Sequence, residues 1–125
     1  MPVSSDAESC QVQPALEIIV GKWKCKILLH LLFTGTNRFS ELQHALPGIT
    51  KKMLTTQLRE LESQDIVQRV VYPIVPPKVE YSLTPYGRTL EPVLKMMHEW
   101  GSTHVEHMRI KQQEIETYAL TASKG

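Results

Sequence analysis

A mostly helical α+β fold, a winged helix-turn-helix with dimerisation helices at its N- and C-terminal ends, is what the sequence predicts, and three observations predict it. Residues 38–63 read as two short helices broken by Leu46-Pro47-Gly48. Residues 67–83 then change from a helical period to a period of two around a proline-rich loop. Apolar residues recur at helical spacing on both sides of this unit, over 14–34 and again from Thr84 to about His107.

Length and composition bound the answer before any element is placed. At 125 residues the chain fits one domain and can build a core without disulfide or metal staples. An apolar content of 42% and a charged content of 22% are ordinary for a soluble globular protein. No apolar run approaches the roughly 18 residues of a membrane span, and the N-terminus lacks a basic region followed by an apolar one, so a cytoplasmic location is expected. The net charge of +1 points to no partner, but its distribution does. Residues 38–59 carry four basic residues against one acid, Glu41, whereas the first seventeen carry Asp6, Glu8 and Glu17 and no base. Phosphate binding needs such a local basic patch.

Residues 1–9 are polar and small without periodicity and read as a disordered tail. Pro14 opens a short apolar helix through Leu16, Ile18 and Ile19 that ends at Gly21. In the next helix Trp23, Ile27, Leu28, Leu31 and Leu32 form the apolar stripe, with Lys22, Lys24 and Lys26 largely on the polar side and Gly35 closing it. Trp23 is expected in the core and His30 as a surface or satisfied histidine.

Ser40 is expected to cap a third helix through about Ala45. Pro47 disfavours helical geometry at Leu46, Gly48 tolerates positive φ, and Thr50 caps a fourth helix from Lys51 to about Glu62. Leu54, Leu58 and Leu61 are its buried stripe. Lys51, Lys52, Thr55, Thr56 and Arg59 fall on the opposite side. Lysines suit phosphates, an arginine can pair with guanine through two bonds, and threonines can touch a base edge or methyl. Any solvated helix face carries the same residue types, so this helix needs its context.

That context is a hairpin. Val67, Arg69 and Val71 share one face of a strand, and a second strand over 78–83 also alternates. Between them Pro73-Ile74-Val75-Pro76-Pro77 is too rich in proline to pair and stiff enough to hold an extended loop. Two strands and a protruding loop after such a helix make a wing, with Arg69 and Lys78 placed to bring charge to the backbone or minor groove.

Thr84-Pro85 opens the last long helix, in which Tyr86, Leu90, Val93, Leu94, Met97, Trp100, Gly101 and His104 lie on one broad face and Pro92 is expected to bend the axis. The earlier helices already fill a core for a domain of this size, so this face suggests a partner, most simply a second copy. Residues 109–125 are polar and extend this helix or fray.

These segments resemble the HxlR-type winged helix-turn-helix regulators of bacteria, relatives of the MarR type. The resemblance runs over residues 10–108. It is carried by Ala15-Leu16-Glu17-Ile18-Ile19 with Gly21-Lys22-Trp23, by Arg38-Phe39-Ser40-Glu41-Leu42, by Leu46-Pro47-Gly48-Ile49 and by 54–61. The wing matches through Val71-Tyr72-Pro73 with 75–81, and the segment after it through Leu83-Thr84-Pro85-Tyr86-Gly87. It implies a homodimeric regulator of transcription bound to a double-stranded DNA operator. The Lys51 helix would lie in the major groove, supported by Arg38, Ser40 and Thr50. The first and last long helices would pair through Leu16, Ile19, Leu90, Val93, Leu94, Met97, Trp100 and His104.

The resemblance also implies that a small electrophile or oxidant is sensed through Cys10. Cys10 follows Glu8 and has no base nearby in sequence, so its activation must come from a helix terminus or a partner subunit. Cys25 departs from the family pattern. Lys24 and Lys26 flank it and favour a thiolate, while Leu28, Leu29 and Leu32 suggest burial. For each cysteine the alternative is a small buried hydrophobe.

The rival reading is a winged-helix module that binds a protein and not DNA. An enzyme is the weakest reading, since no nucleophile-base pair, phosphate loop or metal set occurs at a recognisable spacing, and no cofactor is expected. His104 and His107, three apart, read as surface side chains and not as a metal site.

Overall fold

The computed structural model describes residues 10–124, so the tail expected over 1–9 lies outside the described residues. Five helices and three short strands follow in the order α1 Val12–Ile19, α2 Lys24–Thr34, β1 Asn37–Arg38, α3 Phe39–Ala45, α4 Lys51–Ser63, β2 Val67–Tyr72, β3 Lys78–Leu83 and α5 Glu91–Lys124. The chain divides into two compact units, Met1–Leu90 and Glu91–Gly125.

The first unit is built on a core of Ile19, Trp23, Ile27, Leu28, Leu31, Leu42, Leu46, Ile49, Leu54, Leu58, Leu61, Ile66, Val67, Tyr81 and Leu83. These are the apolar stripes of α1 to α4 and the roots of β2 and β3, as the helical and alternating periods require. Trp23 is buried as expected, with the Lys22 and Lys26 ammonium groups 5.0 and 5.2 Å from its ring centroid. Gly48, at φ +91, turns the chain over this indole between α3 and α4. Gly35, at φ +85, ends α2.

The sheet has three strands and not the two expected. The order is β1-β3-β2, antiparallel throughout. β1 pairs Asn37 with Tyr81 and Arg38 with Glu80, so the other edge of the wing's second strand is bonded to the segment that leads into α3. Asn37 is buried and hydrogen-bonded. Its amide donates to Thr34 Oγ1 (2.6 Å), its Oδ1 lies 3.2 Å from His30 Nε2, and the Thr34 hydroxyl donates to the His30 carbonyl (2.7 Å). His30 is thus the satisfied histidine the sequence suggested.

β1 also corrects the start of α3. The residue capping α3 is Arg38 and not Ser40, which lies inside the first turn. Arg38 has the extended geometry of its strand (φ −82°, ψ 162°), the backbone an N-cap position needs, and its N–H is taken by the Glu41 carboxylate at 2.9 Å.

Thr84 closes the unit behind the wing. Its hydroxyl donates to the Asp65 carbonyl (2.6 Å) and accepts from the Gly87 amide (2.8 Å), and its own amide donates to the Ile66 carbonyl (3.0 Å). Residues 86–90 form a turn and a short 3-10 helix, so the last helix starts later than the Thr84-Pro85 signal indicates.

The second unit is the single helix α5. Pro92 does not interrupt it. It is the second residue, in the first turn, where an amide has no intrahelical acceptor to lose. The helix continues through residues 109–124, with Arg109 paired to Glu106 at 2.6 Å and Lys95 to Glu91 at 3.3 Å.

Candidate nucleic-acid interface

The geometry of α4 is set by its first residue and its buried stripe. Thr50 has extended backbone, and its hydroxyl oxygen accepts the Met53 amide at 3.1 Å, as a Thr N-cap should. Leu54, Leu58 and Leu61 are each buried to 1% exposure or less, which fixes the rotation of the helix about its axis. Lys51, Lys52, Thr56 and Arg59 are consequently exposed, and Thr55 is half-buried.

The two threonines are already committed as donors. Thr55 donates its hydroxyl to the Lys51 carbonyl (2.8 Å) and Thr56 to that of Lys52 (2.9 Å). Each therefore has a methyl group and an acceptor oxygen left to offer, Thr56 from an exposed position and Thr55 from a half-buried one. That set suits a thymine methyl or the amino group of adenine or cytosine.

The cations of this surface form no ion pair among the described residues. Four ion pairs form among the described residues, and none involves Arg38, Lys51, Lys52, Arg59 or Arg69. Glu60, the acid next to Arg59, is paired with Lys24 at 2.8 Å. Exposed cations without an ion pair among the described residues are the kind of surface a polyanion needs.

Lys78 differs. It lies 3.5 Å from Glu80 and 5.0 Å from the Tyr72 ring centroid, at the base of the wing. A hydrogen bond to Glu80 and its negative charge hold the Tyr72 phenol above its usual pKa. Arg69 stands opposite Tyr81 on the exposed outer strand. The sheet therefore joins Arg38, Arg69 and the α3–α4 pair in one unit.

A sequence model of the HxlR-like helix-turn-helix family matches residues 18–109, which spans α2 to β3 and reaches into α5. The chain belongs to that family. Among its curated relatives, the uncharacterized HTH-type transcriptional regulator YtcD of Bacillus subtilis is 54% identical over 97 residues, covering 78% of this chain and 76% of the relative. Among solved structures, the redox regulator HypR in its reduced form is 49% identical with a TM-score of 0.75, over 80% of this chain and 98% of that one. HypR in its oxidized form is 53% identical with a TM-score of 0.70, over 75% and 96%. This HxlR-like chain is thus a transcriptional regulator of helix-turn-helix type. Its mostly helical fold with a three-stranded antiparallel sheet is that of its winged-helix neighbours.

The remaining sequence-predicted residues divide by exposure. Cys10 is exposed. Cys25 is half-buried, and burial pushes its thiol pKa up, so the desolvation suggested by its leucine neighbours outweighs the flanking lysines. In this HxlR-like chain Leu16, Val93, Met97, Trp100 and His104 are exposed, Leu90 is half-buried, and Ile19 and Leu94 are buried. The Trp100 and His104 rings stack at 5.1 Å on one face of α5. No helix of the described residues is long and apolar enough to cross a membrane, and no group of three His, Cys, Asp or Glu among them could hold a metal ion.

Three features were missed in the sequence. Glu41 serves as a backbone acceptor, Lys24 pairs with Glu60, and Asn37 organises a polar knot. The first has a trace in sequence, the acid three residues after an N-cap. The other two join residues on different elements.

Proposed function

We propose that this HxlR-like regulator binds a specific DNA operator as a homodimer and that Cys10 switches it in response to an electrophile or oxidant. The observation that carries the DNA reading is a set of cations, Lys51, Lys52, Arg59 and Arg69, exposed on α4 and the outer strand of the wing with no ion pair among the described residues. Lys51 and Lys52 neutralise phosphates, and Arg59 with Thr55 and Thr56 reads base edges in the major groove. Arg38, Ser40 and Thr50, exposed around the start of the two helices, are free to add backbone contacts.

Pairing through α1 and α5 is supported by their exposed apolar side chains. Leu16, Val93, Met97 and Trp100 stand out to solvent, and Trp100 keeps 68% of its surface there. Two copies then read half-sites about one helical turn, roughly 34 to 36 Å, apart.

The switch is supported by the exposure of Cys10 and by likeness to a redox regulator solved in two oxidation states. The Cys10 thiolate would add to an electrophilic carbon or be oxidised by a peroxide to the sulfenic acid.

Selection of duplexes from a random library by the full-length protein tests the reading. A two-fold motif with one-turn half-site spacing is expected. Failure to shift any duplex at micromolar protein and low salt would overturn it in favour of a protein-binding winged module.

A further inference from the structure

The tip of the wing is a chemically separate surface from the basic face. From Tyr72 to Pro77 the chain reads Tyr-Pro-Ile-Val-Pro-Pro, with no charged side chain between Arg69 and Lys78. Val75 is 99% exposed, more than any other large apolar residue described, and Ile74 beside it is 54% exposed. The tip is also poor in donors. Its three prolines have no N–H, and the Ile74 amide is spent on the Tyr72 carbonyl at 2.9 Å. The nearest cation, Lys78, is drawn back to Glu80 and the Tyr72 ring.

Resting on the DNA reading above, we propose that Ile74 and Val75 enter the operator's minor groove as an uncharged apolar wedge, and that the wing selects A·T pairs there. The occupant follows from the charge of the unit that carries the tip. Lys51, Lys52, Arg59 and Arg69, none of them in an ion pair among the described residues, share its compact unit, Arg69 on the wing's own outer strand, and β1 bonds the wing's inner strand to the residues that begin α3. A polyanion complements that charge. A second copy seated on the tip would set these cations against their like.

The base preference follows from hydrogen-bond accounting. The minor-groove floor at A·T carries only acceptors at its edges and leaves room for apolar side chains, whereas G·C adds the guanine amino group. An apolar tip gives that donor no acceptor, so covering it costs a hydrogen bond. Apolar wedges of this size are used in minor grooves to part a base step. Three prolines have already fixed much of the loop, which lowers the entropy lost on insertion.

The experiment measures full-length protein on its selected operator by fluorescence anisotropy across a salt series. Parent, Ile74→Ser with Val75→Ser, and Val75→Arg are compared on flanks carrying A·T, G·C or inosine·C at the wing-facing pairs. The double variant is expected to bind about tenfold more weakly with an unchanged salt slope, because the tip releases no counterions. Val75→Arg should steepen that slope by about 0.9. The parent should disfavour G·C and recover on inosine·C, which lacks the protruding amino group, and the double variant should lose this preference. Equal affinity and equal flank preference in parent and double variant would overturn the wedge while leaving the DNA reading intact. A parent that binds no duplex overturns the DNA reading itself, and the wedge with it.

Discussion

The backbone of Gly87 packs against the carbonyl of Ile66, so closely that a β carbon at position 87 would overlap that oxygen. The same carbonyl accepts the Thr84 amide at 3.0 Å, so the contact locks the turn before the last helix onto the root of the wing. Backbone on backbone leaves no flexible side chain to move aside. Gly87→Ala is therefore expected to destabilise the fold by about 3 kcal/mol or more, read as a lower urea midpoint with an unchanged slope. A variant with the parent's midpoint would show that this turn yields.

Thr50 supports the first turn of α4 through one bond, to the Met53 amide. Thr50→Ala should cost about 1 kcal/mol in denaturant unfolding, and Thr50→Ser or Thr50→Asp should recover most of it. Loss of stability without that recovery would mean that the threonine methyl, and not the cap, carries the effect.

Arg59 and Lys52 share one face but differ in expected role. Arg59→Ala should cost about 1–3 kcal/mol on the selected operator and relax preference at one position per half-site. Lys52→Ala should weaken all duplexes alike and reduce the salt slope by about 0.9. Parent-like binding by both variants would misplace the recognition face.

The two cysteines should separate on alkylation and on pH. At pH 7–8 iodoacetamide should modify exposed Cys10 before half-buried Cys25. Operator binding in Cys10→Ser should no longer respond to electrophile or mild oxidant, whereas Cys25→Ser should respond as the parent does. A response that persists in Cys10→Ser removes that residue from the switch.

Cys25 has its own signature in stability. Its pKa in the folded chain is raised above the ordinary 9.0, so its thiol form is favoured by folding. That contribution is fully present below the unfolded value and fades as pH climbs through the folded one. Unfolding midpoints should fall above about pH 9 less steeply in Cys25→Ala than in the parent.

Patterns that repeat within one element were legible in the sequence. The stripe of Leu54, Leu58 and Leu61, the Thr50 cap, the Gly48 turn and the limits of β2 and β3 all stand where periodicity put them. Each turn or pleat contributes the same information about which face is buried, so the exposed side of α4 followed. Tertiary structure alone decided what depends on a neighbour. Asn37–Arg38 is too short to show a period and is a strand because β3 offers it an unpaired edge. That pairing gives Arg38 the extended backbone of an N-cap and displaces Ser40 from the role. Lys78, a cation by sequence, is spent on Glu80 and Tyr72 once the hairpin aligns them, while Val75 is left bare at the tip. Local burial patterns are written residue by residue along the chain, but the partner of an edge or a charge exists only after distant segments have met.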